Sequence, residues 1–406
     1  MKAAISKFLT SRSPIRERQY PSRSNTIKAA LLMLVALPLA PFLTLVLAVR
    51  RGTKGRFKVL VVDIDNEFGH FVEIMERTRV KFSSDLPADV IVVLSRFRFS
   101  ALASLYERAF QRSIWFGGGL RSLWLQLVLL QPGALVEVSR EGHGDFAWMR
   151  EQRRPLALTD ELIRLREDCL QDLGCRGSGY VTMAVYSMQY DEERAPAQVS
   201  KSRVMESDGE GLASGVDYLR SMGMDVIILG SPDVGRSHVP RDLPRLSEFG
   251  SLGGPHEVAL SSGCKYFWTD NVGAWWLACP FTRPVLFTND ARSLGVTDPT
   301  AVRHFVQYQT LDGEFLTWRQ LLYREIAEGR TPMKDAGRGE LIMVKNSPQE
   351  VIAVHQEMLA RVEGSYVEDA YTKELRSRFN ALYQEFGRTP PLVSGTFLRG
   401  LGDKHF

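Results

Sequence analysis

Val226-Ile227-Ile228-Leu229 before Gly230-Ser231-Pro232, Lys265-Tyr266-Phe267-Trp268 before Thr269-Asp270-Asn271-Val272-Gly273, and Val285-Leu286-Phe287 before Thr288-Asn289-Asp290 are the runs that decide the fold. Each is short and apolar, and each breaks at once into polar or glycine residues. Buried parallel strands read this way where their carboxyl ends open into loops. Asp217-Tyr218-Leu219 leads into the first run through Arg220-Ser221-Met222-Gly223. The stretch from Gly211 to Asp290 therefore reads helix, strand, loop, helix, strand, helix, strand, one end of an open α/β domain. In such sheets a ligand sits outside the carboxyl ends of the strands.

Working outward, 406 residues suffice for two domains and appendages, and 44% hydrophobic with 24% charged residues describes a chain that mostly folds. A net charge of +4 is too small to argue for nucleic acid, and the basic residues crowd around an N-terminal apolar segment. The four cysteines, Cys169, Cys175, Cys264 and Cys279, form no CxxC pair, so no metal site is predicted.

Residues 1–28 form a basic arm with no apolar period, read as disordered or lying on anionic lipid. Residues 29–49 are apolar apart from Thr44, long enough as a helix to cross a hydrocarbon core of about 30 Å. Arg50, Arg51, Lys54, Arg56 and Lys58 follow, so both flanks are basic and the positive-inside rule gives no orientation. Pro38 and Pro41 interrupt the segment. A re-entrant segment satisfies both basic flanks; a single span is the alternative. The expected location is the inner, cytoplasmic membrane, with the globular part on the cytoplasmic face.

Phe57 to Ile64 predicts a strand that breaks at Asp65-Asn66-Glu67-Phe68-Gly69-His70 before a helix. A glycine at a strand-to-helix turn lets a ligand approach the backbone and leaves helix N–H groups free. His70 stands at the mouth of that turn, as a functional group or as a packing or capping histidine. Asp89 to Leu94 predicts a second strand, Ala101 to Gln111 a helix, Trp115 to Gly119 a glycine turn, Leu120 to Leu130 an apolar helix and Leu135 to Val138 a short strand. No Lys-Ser/Thr follows Gly117-Gly118-Gly119, so this is not a P-loop. Asp160 to Leu173 predicts an amphipathic helix ending at Gly174, and Tyr180 to Tyr186 opens the second domain. A long polar loop follows, in which Arg203 is either a phosphate contact or a solvated surface side chain.

Taken together, these residues resemble a family of bacterial glycosyltransferases with a GT-B-like layout of two Rossmann-like domains. The resemblance runs from about Phe57 to the C-terminus and leaves out the apolar segment. It rests on Asp65 to His70, Val216 to Gly230, Arg245 to Gly250, Pro280 to Asn289, Leu311 to Ile326, Asn346 to Gly364 and Ser394 to Leu401. Two places depart from the family pattern. Tyr186, Met188 and Gln189 stand where a His-x-Arg-Asp pattern is usual, and Thr269-Asp270-Asn271-Val272-Gly273 replaces a Ser/Thr-Gly loop.

The resemblance implies an α/β fold with an N-terminal Rossmann-like acceptor domain over residues 56–160, a C-terminal Rossmann-like sugar-nucleotide domain over 178–345, and helices over 346–406 packing back on the domains. It implies a transferase that uses a nucleotide sugar as donor substrate, with no cofactor and no metal. The donor diphosphate would meet backbone N–H groups after Gly230 and Gly273 and the side chain of Arg203. Asp270 or Asn271 would hold ribose or sugar hydroxyls, with Glu248, Glu257 and Asn289 as further donor-side candidates. The acceptor, a glycan or a lipid-linked glycan, would lie against Asn66 and Gly69, with His70 as general base. Trp275 and Trp276 are read as core packing or a sugar-stacking pair, and Glu257 as a helix cap. The competing readings are a catalytically inactive sugar-nucleotide-binding or glycan-assembly partner, and a transferase of another group, such as a pyruvyl-type enzyme, on the same fold.

Overall fold

The computed structural model describes residues 59–64, 72, 75, 76, 79, 90–95, 100–109, 113–117 and 137–138 of the N-terminal part. Beyond them it describes residues 154–185, 209–229, 240, 242–246, 254–270, 273–291 and 301–402. The chain divides into two units, Met1–Gly142 and His143–Phe406.

In the first unit β1 (Val59–Ile64), β2 (Val90–Ser95), β3 (Ser113–Gly117) and β4 (Glu137–Val138) form a parallel sheet of order β3-β2-β1-β4. The Val- and Ile-rich runs of β1 and β2 pair residue for residue, from Val59 with Val90 to Ile64 with Ser95. Strand order reverses between β1 and β4, so the first unit's topological switch point lies beside the carboxyl end of β1. Helix α1 (Ser100–Ala109) buries Leu102, Leu105 and Tyr106. The Tyr106 hydroxyl donates to Glu76 Oε1 at 2.9 Å, and Arg79 donates to both oxygens of the same carboxylate at 3.0 and 2.8 Å. Glu76 is fully buried, and these bonds supply its carboxyl oxygens with partners there. The glycine turn expected from Trp115 is corrected: Trp115, Phe116 and Gly117 complete β3, where the aromatic residues meet the β-branched run of β2.

The second unit holds α2 (Asp160–Asp172), β5 (Tyr180–Ala184), α3 (Gly209–Ser221), β6 (Asp225–Ile228), α4 (Pro255–Gly263) and β7 (Phe267–Thr269). Two 3-10 turns, Gly273–Leu277 and Cys279–Phe281, lead to β8 (Val285–Asp290) and β9 (Ala301–Phe305). The sheet is parallel, of order β6-β5-β7-β8-β9. Register sorts its side chains into two faces. Ile228, Met183, Trp268, Leu286 and Val302 line up across the five strands. They share one core with Leu212, Val216 and Leu219 of α3 and with Val351, Val354 and Met358 of α7 (Pro348–Val362). Ala184, Thr269, Phe287 and Arg303 line up on the opposite face. Helix α4 covers that face, where the Tyr180 hydroxyl donates to the Leu260 carbonyl at 2.7 Å.

A second core gathers β10 (Gln307–Gln309), α5 (Trp318–Ile326), α6 (Pro332–Gly337), β11 (Ile342–Val344), α8 (Ala370–Glu385) and α9 (Gly395–Leu401). Phe305, Trp318, Phe379 and Phe397 pack at its centre. Capping boxes at Thr317 and Ser347 start α5 and α7. The outer edge of β9 is closed by the segment before α9: Arg303 N donates to the Leu392 carbonyl and Ser394 N to the Arg303 carbonyl, both at 2.9 Å. Apolar spacing at three and four residues over 317–328, 348–362 and 371–386 predicts helices, and they appear as α5, α7 and α8; within this unit α8 packs against α9. No helix among the described residues is long and apolar enough to cross a membrane, and residues 29–49 lie outside them.

Candidate functional site

In the second unit the sheet order reverses between β5 and β7, so its switch point is the pair of carboxyl ends at Ala184 and Thr269. Asp270 is the next residue, and its N–H points to the Ala184 carbonyl at 3.4 Å. The carboxylate is 1% exposed. An acidic side chain retained at this depth, at the point where an open α/β sheet binds ligands, is the chief chemical feature of the described site. A carboxylate is an acceptor only, suited to paired hydroxyls.

Gly273 opens the first 3-10 turn, is exposed, and has open space where a Cβ would be. Trp275 and Trp276 stack at 4.1 Å with 25° between their planes, and Trp275 meets Phe287 edge-on at 5.4 Å. Both indoles are buried and pack on each other, with Trp275 also on Phe287. Phe287 lies under the guanidinium of Arg303, 4.6 Å from the ring centre, and Arg303 pairs with Asp290. Both members of this ion pair are about 1% exposed. Glu257 is buried in the first turn of α4, after Gly254 and Pro255.

Thr288, Asn289 and Asp290, expected as a turn beyond a short strand, belong to β8. Asn289 takes the left-handed conformation, φ 49°, at a register shift between Phe287 and Asp290. Its N–H donates to Asn346 Oδ1 at 2.5 Å, its Oδ1 accepts from Asn346 N at 2.7 Å, and Asn346 Nδ2 donates to the Phe305 carbonyl at 2.9 Å. Sequence reasoning passed over Asn346, Asp290 and Arg303. The available signal was a charged residue inside the apolar run Ala301-Val302-Arg303-His304-Phe305.

Of the residues singled out in the sequence, Asp270, Gly273 and Asn289 therefore gather at the carboxyl ends of β7 and β8. Asn66, Gly69, His70, Arg203, Gly230, Glu248 and Asn271 lie outside the described residues, as do Tyr186, Met188 and Gln189. Among the described residues no group of three or more His, Cys, Asp or Glu side chains is placed to hold a metal ion.

No family model matches the sequence, and no curated protein matches it. Solved structures do. A glycosyl transferase family 9 protein from Veillonella parvula DSM 2008 matches at 12% identity and TM-score 0.45, over 76% of this chain and 99% of that one. The iron-containing dodecameric glycosyltransferase TibC from enterotoxigenic E. coli matches at 12% identity and TM-score 0.43, over 76% of this chain and 77% of that one. The E. coli ADP-heptose LPS heptosyltransferase II matches at 13% identity and TM-score 0.36, over 75% of this chain and 99% of that one. With every one of these scores below 0.5, the chemistry of the site rests on this chain's own topology.

Proposed function

We propose that the protein is a glycosyltransferase that moves a sugar from a nucleotide-sugar donor to a glycan acceptor, with the donor at the carboxyl ends of β5 and β7. The observation that carries this reading is the buried carboxylate of Asp270 at the switch point. The sequence resemblance from Phe57 onward supports it. In the reaction an acceptor hydroxyl oxygen bonds to the anomeric carbon. The bond from that carbon to the diphosphate oxygen breaks, and the nucleoside diphosphate leaves with the electron pair. Asp270 is assigned the donor hydroxyls, while Arg203 and the N–H groups after Gly230 and Gly273 are assigned the diphosphate. His70 takes the hydroxyl proton if the stereochemistry inverts; a retaining reaction needs no such base. The apolar residues 29–49 are assigned the role of a membrane anchor, which suits a lipid-linked acceptor.

A second reading, a catalytically inactive relative that binds the donor, is favoured by Tyr186, Met188 and Gln189 standing in place of the family's polar pattern. The test is a thermal-shift screen of the full chain against ADP-, UDP-, GDP- and CMP-sugars, followed by a transfer assay with any that bind. A ligand that binds the native state raises Tm by mass action. The expected result is a shift with one nucleotide class that Asp270→Ala abolishes. Binding without turnover selects the second reading, and a well-folded sample that no nucleotide sugar shifts refutes both.

A further inference from the structure

Three consecutive residues at the carboxyl end of β8 are each held by a different partner. Asn289 is locked to Asn346 by the two reciprocal bonds. The Asp290 carboxylate pairs with Arg303, and its carbonyl accepts from Val306 N at 3.1 Å. The Ala291 carbonyl accepts from the Tyr308 hydroxyl at 2.7 Å. Asparagine enters the left-handed region more readily than other non-glycine residues, and here the bonds to Asn346 hold it in that conformation within a strand. Here the residue sits inside a strand, with Phe287 of the same strand in register with Thr269, next to Asp270.

Resting on the proposed donor site, we infer that Asn346 is a positioning residue for donor binding. It holds Asn289 left-handed and thereby sets the backbone of β8 as the wall beside Asp270. Asn346 touches no donor in this arrangement. Its amide works in both directions, as acceptor from Asn289 N–H and as donor to the Phe305 carbonyl, so no other side chain of its size replaces it in full. It stands directly before Ser347, the N-cap of α7, which ties the end of β8 to the start of that helix.

The experiment measures the Kd of ADP, UDP and GDP by titration calorimetry, and Tm in parallel, for the full-length wild type, Asn346→Asp, Asn346→Ala, Asn289→Gly and Val354→Ala. Asn346→Asp keeps an acceptor and loses the donor. Asn289→Gly frees the backbone at this position and removes the side-chain amide that accepts from Asn346 N, so it loosens the reciprocal lock and serves if the Asn346 variants do not fold. Val354→Ala opens a cavity in the core between α7 and the sheet, away from the strand ends, and controls for lost stability. Expected are tenfold or greater weakening for both Asn346 variants, three- to tenfold for Asn289→Gly, and an unchanged Kd for Val354→Ala despite its lower Tm. Folded Asn346 variants that bind as the wild type does overturn the inference and leave the donor site standing. If those variants do not fold, a wild-type Kd for Asn289→Gly overturns it. A wild type that binds none of the three nucleotides overturns the donor site and the inference together.

Discussion

His355 should make the second unit acid-labile well above the pH at which carboxylates protonate. It lies on α7, fully buried, with the Tyr266 hydroxyl 2.7 Å from Nδ1 and the Trp268 ring nearly perpendicular to it, 4.3 Å between ring centres. Gly215 of α3 leaves room for its ring: a Cβ there would stand 2.9 Å from Nε2. Burial removes the water that would solvate an imidazolium, and it pushes the His355 pKa down from 6.5 to about 3. The folded state therefore keeps the ring neutral while the unfolded chain binds a proton below about pH 6.5. The stability that follows is present above pH 6.5 and drains away as pH falls toward the folded value near 3. Each pH unit in that window costs about 1.4 kcal/mol, or about 2 kcal/mol between pH 6.5 and 5. The assay is native-state hydrogen exchange of α7 amides over that interval, corrected for intrinsic exchange, in the wild type and in His355→Gln. Protection should fall by about 2 kcal/mol in the wild type and stay nearly flat in the variant. Equal slopes for the two proteins would refute the reasoning.

Gly215→Ala should cost about 1–3 kcal/mol, read as a lower Tm, because the new methyl would meet Trp268 at 2.6 Å as well as His355. Asp290→Asn should cost about 3–5 kcal/mol in urea unfolding, since it leaves Arg303 charged and buried. The double change Asp290→Leu with Arg303→Met should cost less than Asp290→Asn alone; a larger loss contradicts the account. Glu350, held down to about 2 by His304 with Nε2 3.9 Å away and by the N-terminal turn of α7, stabilises the fold above pH 4.5 and loses that contribution as pH falls through 2. Glu350→Gln should flatten the acid limb of the stability curve in that window. Ser347→Ala removes the N-cap acceptor of α7 and should lower stability by about 1 kcal/mol, seen as faster exchange in the first turn of the helix.

In the second sheet β5, β6, β7 and β8 were legible because each is buried on both faces and reads as a short apolar run that breaks into polar or glycine residues. Helices α5, α7 and α8 showed in their apolar spacing at three and four residues. The position of Asp270 at the carboxyl end of β7 was legible from its place after Trp268 and Thr269. What stayed hidden depends on partners distant in sequence. β9 carries Arg303 and His304 in its middle, and a strand with two ionisable residues does not read as core until Asp290 and Ser394 are known to meet them. Asn289 looked like a turn residue, and its torsion does suit a turn. Only Asn346, 57 residues away, lets the strand run through it. Trp115-Phe116-Gly117 misled in the opposite sense, because a glycine cluster following a strand resembles a loop within it.

The strip at Leu392 to Ser394 that closes the edge of β9 has a bearing on how this protein is made. Arg303 waits for a partner whose carbonyl and N–H lie some 90 residues further along the chain. On the ribosome, the five-stranded sheet is complete in sequence long before that cover emerges. During the interval its last strand presents an open row of N–H and C=O groups to any other nascent chain. Shielding of that edge during the interval should therefore bear on the yield of soluble protein. A tag or truncation that disturbs residues 392–394 should reduce soluble protein far more than one that ends beyond α9.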